Sequence, residues 1–208
     1  MMVHVKMCGM TRAEDALFAA QLGVHAIGLI FYESSPRAVS ISQAKTIIDS
    51  LPPFITTVGV FVDPTFEYVQ KLLNTISLDL LQFHGQERAA DCRRYGKPYI
   101  KTIAMRDSLD WSVLDEYTDA KGLLLDTYSA EMVGGTGHVF DWRQIQKQKI
   151  NKPIILAGGL TPENVAQAIR QVHPYAVDVT TGVEAAKGIK DHNKMQRFMR
   201  EVRNASVT

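Results

Sequence analysis

Apolar runs of strand length recur about every 20 to 30 residues along this chain, each followed by a segment patterned like a helix. The runs are His4–Cys8, Ala26–Phe31, Thr57–Val62, Leu78–Phe83, Tyr99–Ala104, Gly122–Asp126, Pro153–Ala157 and Ala176–Thr180. They are close to continuously apolar, as in parallel strands covered on both faces. Helix starts punctuate the intervals. Thr11 stands three residues before Glu14, the spacing of a capping box. Asp63-Pro64 places a proline in a first turn, and Thr161-Pro162-Glu163 opens the segment after the seventh run. Further helices are predicted near residues 42–50, from Gln86, over Leu109–Tyr117, from Asp141 after a long glycine-containing loop, and over Asp191–Val202. Eight βα repeats predict an α/β fold, a closed (βα)8 TIM barrel in one domain over residues 1–208, compact and with short loops. An open doubly wound sheet is the alternative, but no GxGxxG follows the first run.

Composition narrows this picture. Hydrophobic residues make up 46% and charged residues 22%, as in ordinary globular chains large enough to bury a core. With 23 basic and 22 acidic residues the net charge is +1, so no broad footprint for nucleic acid or a membrane surface is expected, although a local cluster can still hold a small anion. No apolar run approaches the ~20 residues of a membrane span. Residues 1–12 lack the apolar core and cleavage pattern of a signal peptide. Two cysteines are too few for a disulfide framework, which points to the reducing cytoplasm. No CxxC or HExxH spacing occurs, so no metal site is expected. A monomer is expected, since no long exposed apolar segment announces an interface.

A barrel of this kind places its active site at the C-terminal ends of the strands. Three glycine-bearing loops fall there: Gly134-Gly-Thr-Gly137, Ala157-Gly-Gly-Leu160 and Thr180-Thr-Gly-Val-Glu184. Glycine lets backbone N–H groups approach an anion, so Gly135, Gly137, Gly158, Gly159, Thr181 and Gly182 are a candidate phosphate cradle. A short helix opening at Val183-Glu184-Ala185 would add its positive end. Tight βα turns are the plainer reading of any one such loop, whereas three neighbouring loops favour phosphate binding. Cys8 closes the first run with Lys6 two positions earlier on the same strand face, and a nearby cation favours the thiolate that proton transfer needs. A free cysteine is otherwise a small buried hydrophobe, and Cys92 is read that way.

Asp126 ends an apolar run and faces the mouth, a setting for a general acid or for a turn cap. Asp178 lies between Val177 and Val179, so it should point inward and needs a partner, either a substrate group or Lys6. Arg37, after a rigid Ser-Pro pair, can clamp a carboxylate or lie on the surface. His84 before Gly85 orients substrate or is structural. Lys101 is a second candidate cation near the mouth.

Taken together, Lys6-Met-Cys-Gly-Met-Thr11, Phe31-Tyr-Glu-Ser-Ser-Pro-Arg37, Val58-Gly-Val-Phe-Val62, Leu81-Gln-Phe-His-Gly85, Leu125-Asp126 and Gly134-Gly-Thr-Gly137 with Phe140-Asp-Trp142 form an ordered set. It continues with Leu156-Ala-Gly-Gly-Leu160, Pro162-Glu-Asn-Val165, Val177-Asp-Val-Thr-Thr-Gly-Val-Glu184 and Gly188-Ile-Lys-Asp191. This end-to-end set resembles the phosphoribosylanthranilate isomerase family. The resemblance implies a cofactor-free Amadori rearrangement of N-(5-phosphoribosyl)anthranilate in tryptophan biosynthesis. It assigns Asp126 as the acid that opens the furanose ring and Cys8 as the base that removes the C2′ proton. It gives Arg37 to the anthranilate carboxylate, and Gly137, Gly158, Gly159 and Gly182 to the phosphate. Two departures are small: Phe83 stands where leucine is common, and Thr180-Thr181 where Ser-Ser is common, with the hydroxyl kept. Rivals on the same barrel are a ribulose-phosphate epimerase, which wants paired Asp and His metal ligands, and an indole-glycerol-phosphate synthase, which wants several Lys and Glu at strand ends. A non-catalytic phosphosugar-binding barrel is the rival of another class.

Overall fold

The computed structural model describes residues 2–105, 110–126, 142–146, 148 and 150–206. Eight parallel strands close into a barrel in chain order: β1 His4–Met7, β2 Ala26–Ile30, β3 Thr56–Phe61, β4 Leu80–Phe83, β5 Tyr99–Ala104, β6 Gly122–Asp126, β7 Ile154–Ala157 and β8 Ala176–Val179. β8 pairs with β1 to complete the ring. Around it lie α1 Ala13–Gln21, α2 Ile41–Asp49, α3 Phe66–Leu73, α4 Ala89–Arg93, α5 Arg143–Gln146, α6 Val165–Val172 and α7 His192–Ser206. A 3-10 segment, Trp111–Tyr117, fills the interval between β5 and β6. After β8 the chain makes an antiparallel pair, β9 Glu184–Ala186 and β10 Ile189–Lys190. No described helix is long and apolar enough to cross a membrane.

Successive side chains of a strand face opposite ways, so register sorts the sheet residues into two sets. One set includes Met7, Ile27, Leu29, Phe61, Leu81, Phe83, Leu125 and Leu156, all buried against the helical layer of Ala16, Ala44, Ile47, Leu72, Ala168 and Phe198. The other set looks into the barrel. There Ile100, Leu124 and Ala157 pack with Leu80 and Ile155 into a small apolar plug. Lys6, Gln82 and Asp178, also on inward positions, are polar and buried. The barrel is therefore sealed by hydrocarbon low down and polar towards its C-terminal mouth.

Several element starts differ from the pattern-based expectation, each for a local reason. Thr11 does not cap α1. The cap is Arg12 without a side-chain bond, and the Thr11 hydroxyl donates to the Gly188 carbonyl, tying the loop after β1 to the β9–β10 pair. A full capping box occurs instead at Ser40 and Gln43. Asp63-Pro64 precede α3, which opens after Thr65, whose hydroxyl accepts from the Tyr68 N–H. Asp79 lies outside β4 because its carboxylate accepts from the Thr57 N–H and hydroxyl. Val183-Glu184-Ala185 do not begin a helix: a three-residue 3-10 turn, Thr181–Val183, runs directly into β9.

Lys101 is a larger correction. Its register partners are Phe83 and Leu123, which face the helical layer, so its side chain points away from the barrel interior. It is buried, 2.8 Å from Glu87, and donates to the Gly85 carbonyl. Glu87 also accepts from the N–H groups of Asp63 and Gly85, so it gathers the ends of β3, β4 and β5.

Candidate active site

The mouth holds a cavity of about 550 Å³ lined by Cys8, Arg37, Gln82, His84, Asp126, Gly158, Gly159, Asp178 and Thr181, among others. Strand parity explains the gathering. Lys6 lies opposite Asp178, Val60 opposite Gln82, and Asp126 opposite Ala157, all on inward positions. A second hollow, about 580 Å³, lies towards the other end beside Trp111 and Ile150, and its Lys152 already donates to the carbonyls of Thr118 and Ala120.

Cys8 is buried at the mouth just after β1. Its N–H donates to the Val179 carbonyl, and its own carbonyl accepts from Lys190 Nζ at 2.7 Å, so both edges of its backbone are held. Lys6 Nζ lies 3.1 Å from both oxygens of Asp178. Burial alone would lower the Lys6 ammonium, but the Asp178 carboxylate and the Cys8 thiol outweigh it and hold it above its usual range. Gly28 makes the room: a Cβ there would lie 2.5 Å from Cys8 Sγ and 3.1 Å from Lys6 Nζ.

Arg37 grips Glu184 through two bonds of 2.8 and 2.7 Å. Glu184 is also 3.2 Å from Lys190, and these cations, led by the Arg37 hydrogen bonds, hold its carboxyl below the usual range although burial would raise it. Burial leaves Lys190 below its ordinary range despite that partner. Arg37 is thus neither a loose surface residue nor an unengaged clamp; one edge of its guanidinium is occupied. Across the cavity, His84 Nε2 lies 3.4 Å from Asp126 Oδ2. Gln82 Nε2 lies 3.1 Å from His84 Nδ1 and 3.2 Å from Thr102 Oγ1.

Of the glycine loops, those after β7 and β8 meet. A Cβ on Gly182 would fall 1.9 Å from the Leu160 carbonyl oxygen, so only glycine permits this approach. Gly158 and Gly159 have φ of +91° and +64°, and Asn164 bridges the same loop by donating to the Gly159 carbonyl and accepting from the Thr161 N–H. Gly135 and Gly137 lie outside the described residues. The structure therefore brings Lys6, Cys8, Arg37, His84, Asp126, Gly158, Gly159, Asp178 and Thr181 to one mouth, with Gly182 packed behind. Sequence reasoning gave no role to Gly28, Gln82, Glu184 or Lys190. Gly28 inside Ala26–Ile30 and Gln82 inside Leu80–Phe83 each carried a signal, a breaker and an amide within an apolar run.

A closed parallel barrel with a thiol, carboxylates and cations converging at its C-terminal mouth defines a (βα)8-barrel enzyme. Residues 5–201 match the family model described as N-(5′phosphoribosyl)anthranilate (PRA) isomerase. The N-(5′-phosphoribosyl)anthranilate isomerase of Nitrosococcus oceani is 55% identical over 203 residues, 97% of this chain and 98% of that protein. That of Pseudomonas fluorescens is 54% identical, with the same coverage. The crystal structure of the Thermotoga maritima enzyme superposes with a TM-score of 0.89 at 39% identity, covering 98% of this chain and 100% of that one. Another, of the isomerase in complex with reduced 1-(o-carboxyphenylamino)-1-deoxyribulose 5-phosphate, gives 0.84 at 36% identity, over 98% and 100%. The chain belongs to the phosphoribosylanthranilate isomerase family of aldose–ketose isomerases.

Proposed function

We propose that this enzyme converts N-(5′-phosphoribosyl)anthranilate to 1-(2-carboxyphenylamino)-1-deoxyribulose 5-phosphate, the Amadori step of tryptophan biosynthesis, in the cytoplasm. The whole chain, residues 1–208, serves as one catalytic domain. Asp126 gives a proton to the furanose ring oxygen as the C1′–O bond breaks, leaving a protonated Schiff base. Cys8, as thiolate, takes the C2′ proton, and the electron pair flows to the Schiff-base nitrogen to give an enolamine. Tautomerisation of the enolamine yields the ketone. The nitrogen is the electron sink, so the residues need only move protons.

One observation carries this reading: Cys8 and Asp126 line the same cavity, one near the Lys6 ammonium and the other beside His84. Lys6 and Asp178 act as a neutralised pair beside the thiol. The unoccupied edge of Arg37 takes the anthranilate carboxylate. The backbone of Gly135, Gly137, Gly158, Gly159, Thr181 and Gly182 takes the phosphate. The enzyme works as a monomer, and sedimentation at working concentration checks the state.

The test follows the fluorescence decay of phosphoribosylanthranilate. Cys8→Ser and Asp126→Asn should each lower kcat by about 10²–10⁴-fold while still binding the reduced product analogue. Near-full activity in both variants would sink the mechanism. A wild-type protein that binds the analogue without turnover would instead be a phosphosugar-binding barrel.

A further inference from the structure

Gln82 lies on an inward position of β4, 1% exposed, two residues before His84. Its Nε2 faces His84 Nδ1 and Thr102 Oγ1, and its Oε1 is buried with no hydrogen-bond partner among the described residues. A primary amide carries two N–H donors and one carbonyl. In the orientation found, both donors are used and one acceptor is left over. Turned over, the carbonyl would face His84 and Thr102 and both donors would be left over. Each unmade bond of a buried group is costly, and the orientation found leaves fewer of them, so it is the better one. It carries a chemical consequence: a ring nitrogen that accepts from an amide N–H holds a lone pair, so the proton of neutral His84 is on Nε2. That nitrogen is the one 3.4 Å from Asp126 Oδ2.

We propose that Gln82 is a positioning residue for the acid: it fixes His84 as the Nε2–H tautomer, and that N–H orients the Asp126 carboxyl for proton transfer to the substrate's ring oxygen. The 3.4 Å separation shortens when substrate fills the cavity, as catalytic hydrogen bonds commonly do. In the acid step the Asp126 O–H bond breaks and an O–H bond forms on the substrate. His84 keeps its proton and donates to the carboxylate just formed. The inference rests on Asp126 being the acid.

Two measurements test it on the full chain. The first is the ¹⁵N spectrum of histidine-labelled protein without ligand, with the His84 signals assigned from their loss in His84→Gln. Wild-type His84 should show its proton on Nε2, and Gln82→Met should mix the tautomers. The second is kinetic. Gln82→Met should lower kcat about tenfold, with KM within about twofold. In a His84→Gln background, where the new amide supplies its own N–H to Asp126, Gln82→Met should cost nothing further. A proton on Nδ1 in wild type, an unchanged tautomer in Gln82→Met, or the same loss of kcat in both backgrounds would each overturn the proposal. Should Gln82→Met fail to fold, Gln82→Leu removes the amide N–H with a shorter side chain; a wild-type kcat in its folded fraction overturns the proposal equally. If Asp126→Asn stays active, the acid reading fails and takes the purpose of Gln82 with it, whereas the tautomer is read independently of both.

Discussion

Gly28 shows how much of the site is set by an atom that is missing. Its neighbours Cys8 Sγ and Lys6 Nζ occupy the space a side chain would take. Gly28→Ala should displace the thiol by a substantial part of an ångström and lower kcat about 100-fold, because reacting groups tolerate little misplacement. The extra methyl should also cost about 1–3 kcal/mol, read by thermal denaturation. A folded Gly28→Ala protein with wild-type kcat would refute this account. The legible site residues share a property: Lys6, Cys8, Asp126 and Asp178 are polar groups at or within apolar strands, where a lone polar side chain needs a reason. Glu184 and Lys190 escaped because their reasons are remote. Glu184 meets Arg37, 147 residues away, and Lys190 meets the Cys8 carbonyl, 182 residues away. No local pattern reports such a pairing.

At the scale of elements, strands were more legible than helix starts. Each predicted run agrees with its strand to within one or two residues, since burial on both faces imposes one continuous apolar signal. Helix starts depend on one or two hydrogen bonds, and several residues compete to make them. Thr11 had the right spacing for a cap, but its hydroxyl is taken by Gly188. Lys101 departs from its expected place for a different reason: its side of the strand follows from register, which a continuous apolar run does not reveal. Its position now carries a prediction. Lys101→Met strands the Glu87 carboxylate in the interior and should cost about 3–5 kcal/mol in urea denaturation, with kcat unchanged in the folded fraction. Loss of kcat without loss of stability would return Lys101 to the active site.

Over the whole molecule, the polar mouth makes stability depend on pH. Glu184 has its folded-state carboxyl held below 4.5 by Arg37 and Lys190. A depressed carboxyl contributes stability above its unfolded value and loses it as pH falls through its folded value. Wild-type stability should therefore decline as pH drops below about 4.5. Glu184→Gln should be less stable at neutral pH and decline less steeply in acid, by thermal denaturation across that range. Parallel curves for the two proteins would show that the carboxylate contributes nothing. Lys6 has the opposite sign: raised in the folded state, it contributes below about 10.5 and that contribution is lost as pH rises through its folded value.

The seam between β8 and β1 has one more consequence, and it concerns synthesis. Lys6 waits 172 residues for Asp178, and Thr11 waits 177 for Gly188. A nascent chain finished through α6 already carries Cys8, Arg37 and Asp126, yet its lysine has no counter-charge and its ring is open. Contacts this distant in sequence form late, because closing so long a loop must come first. The cavity at the mouth is thus completed by the final strands, and a ribosome stalled before β8 would release a chain that carries Cys8, Arg37 and Asp126 on an unclosed barrel.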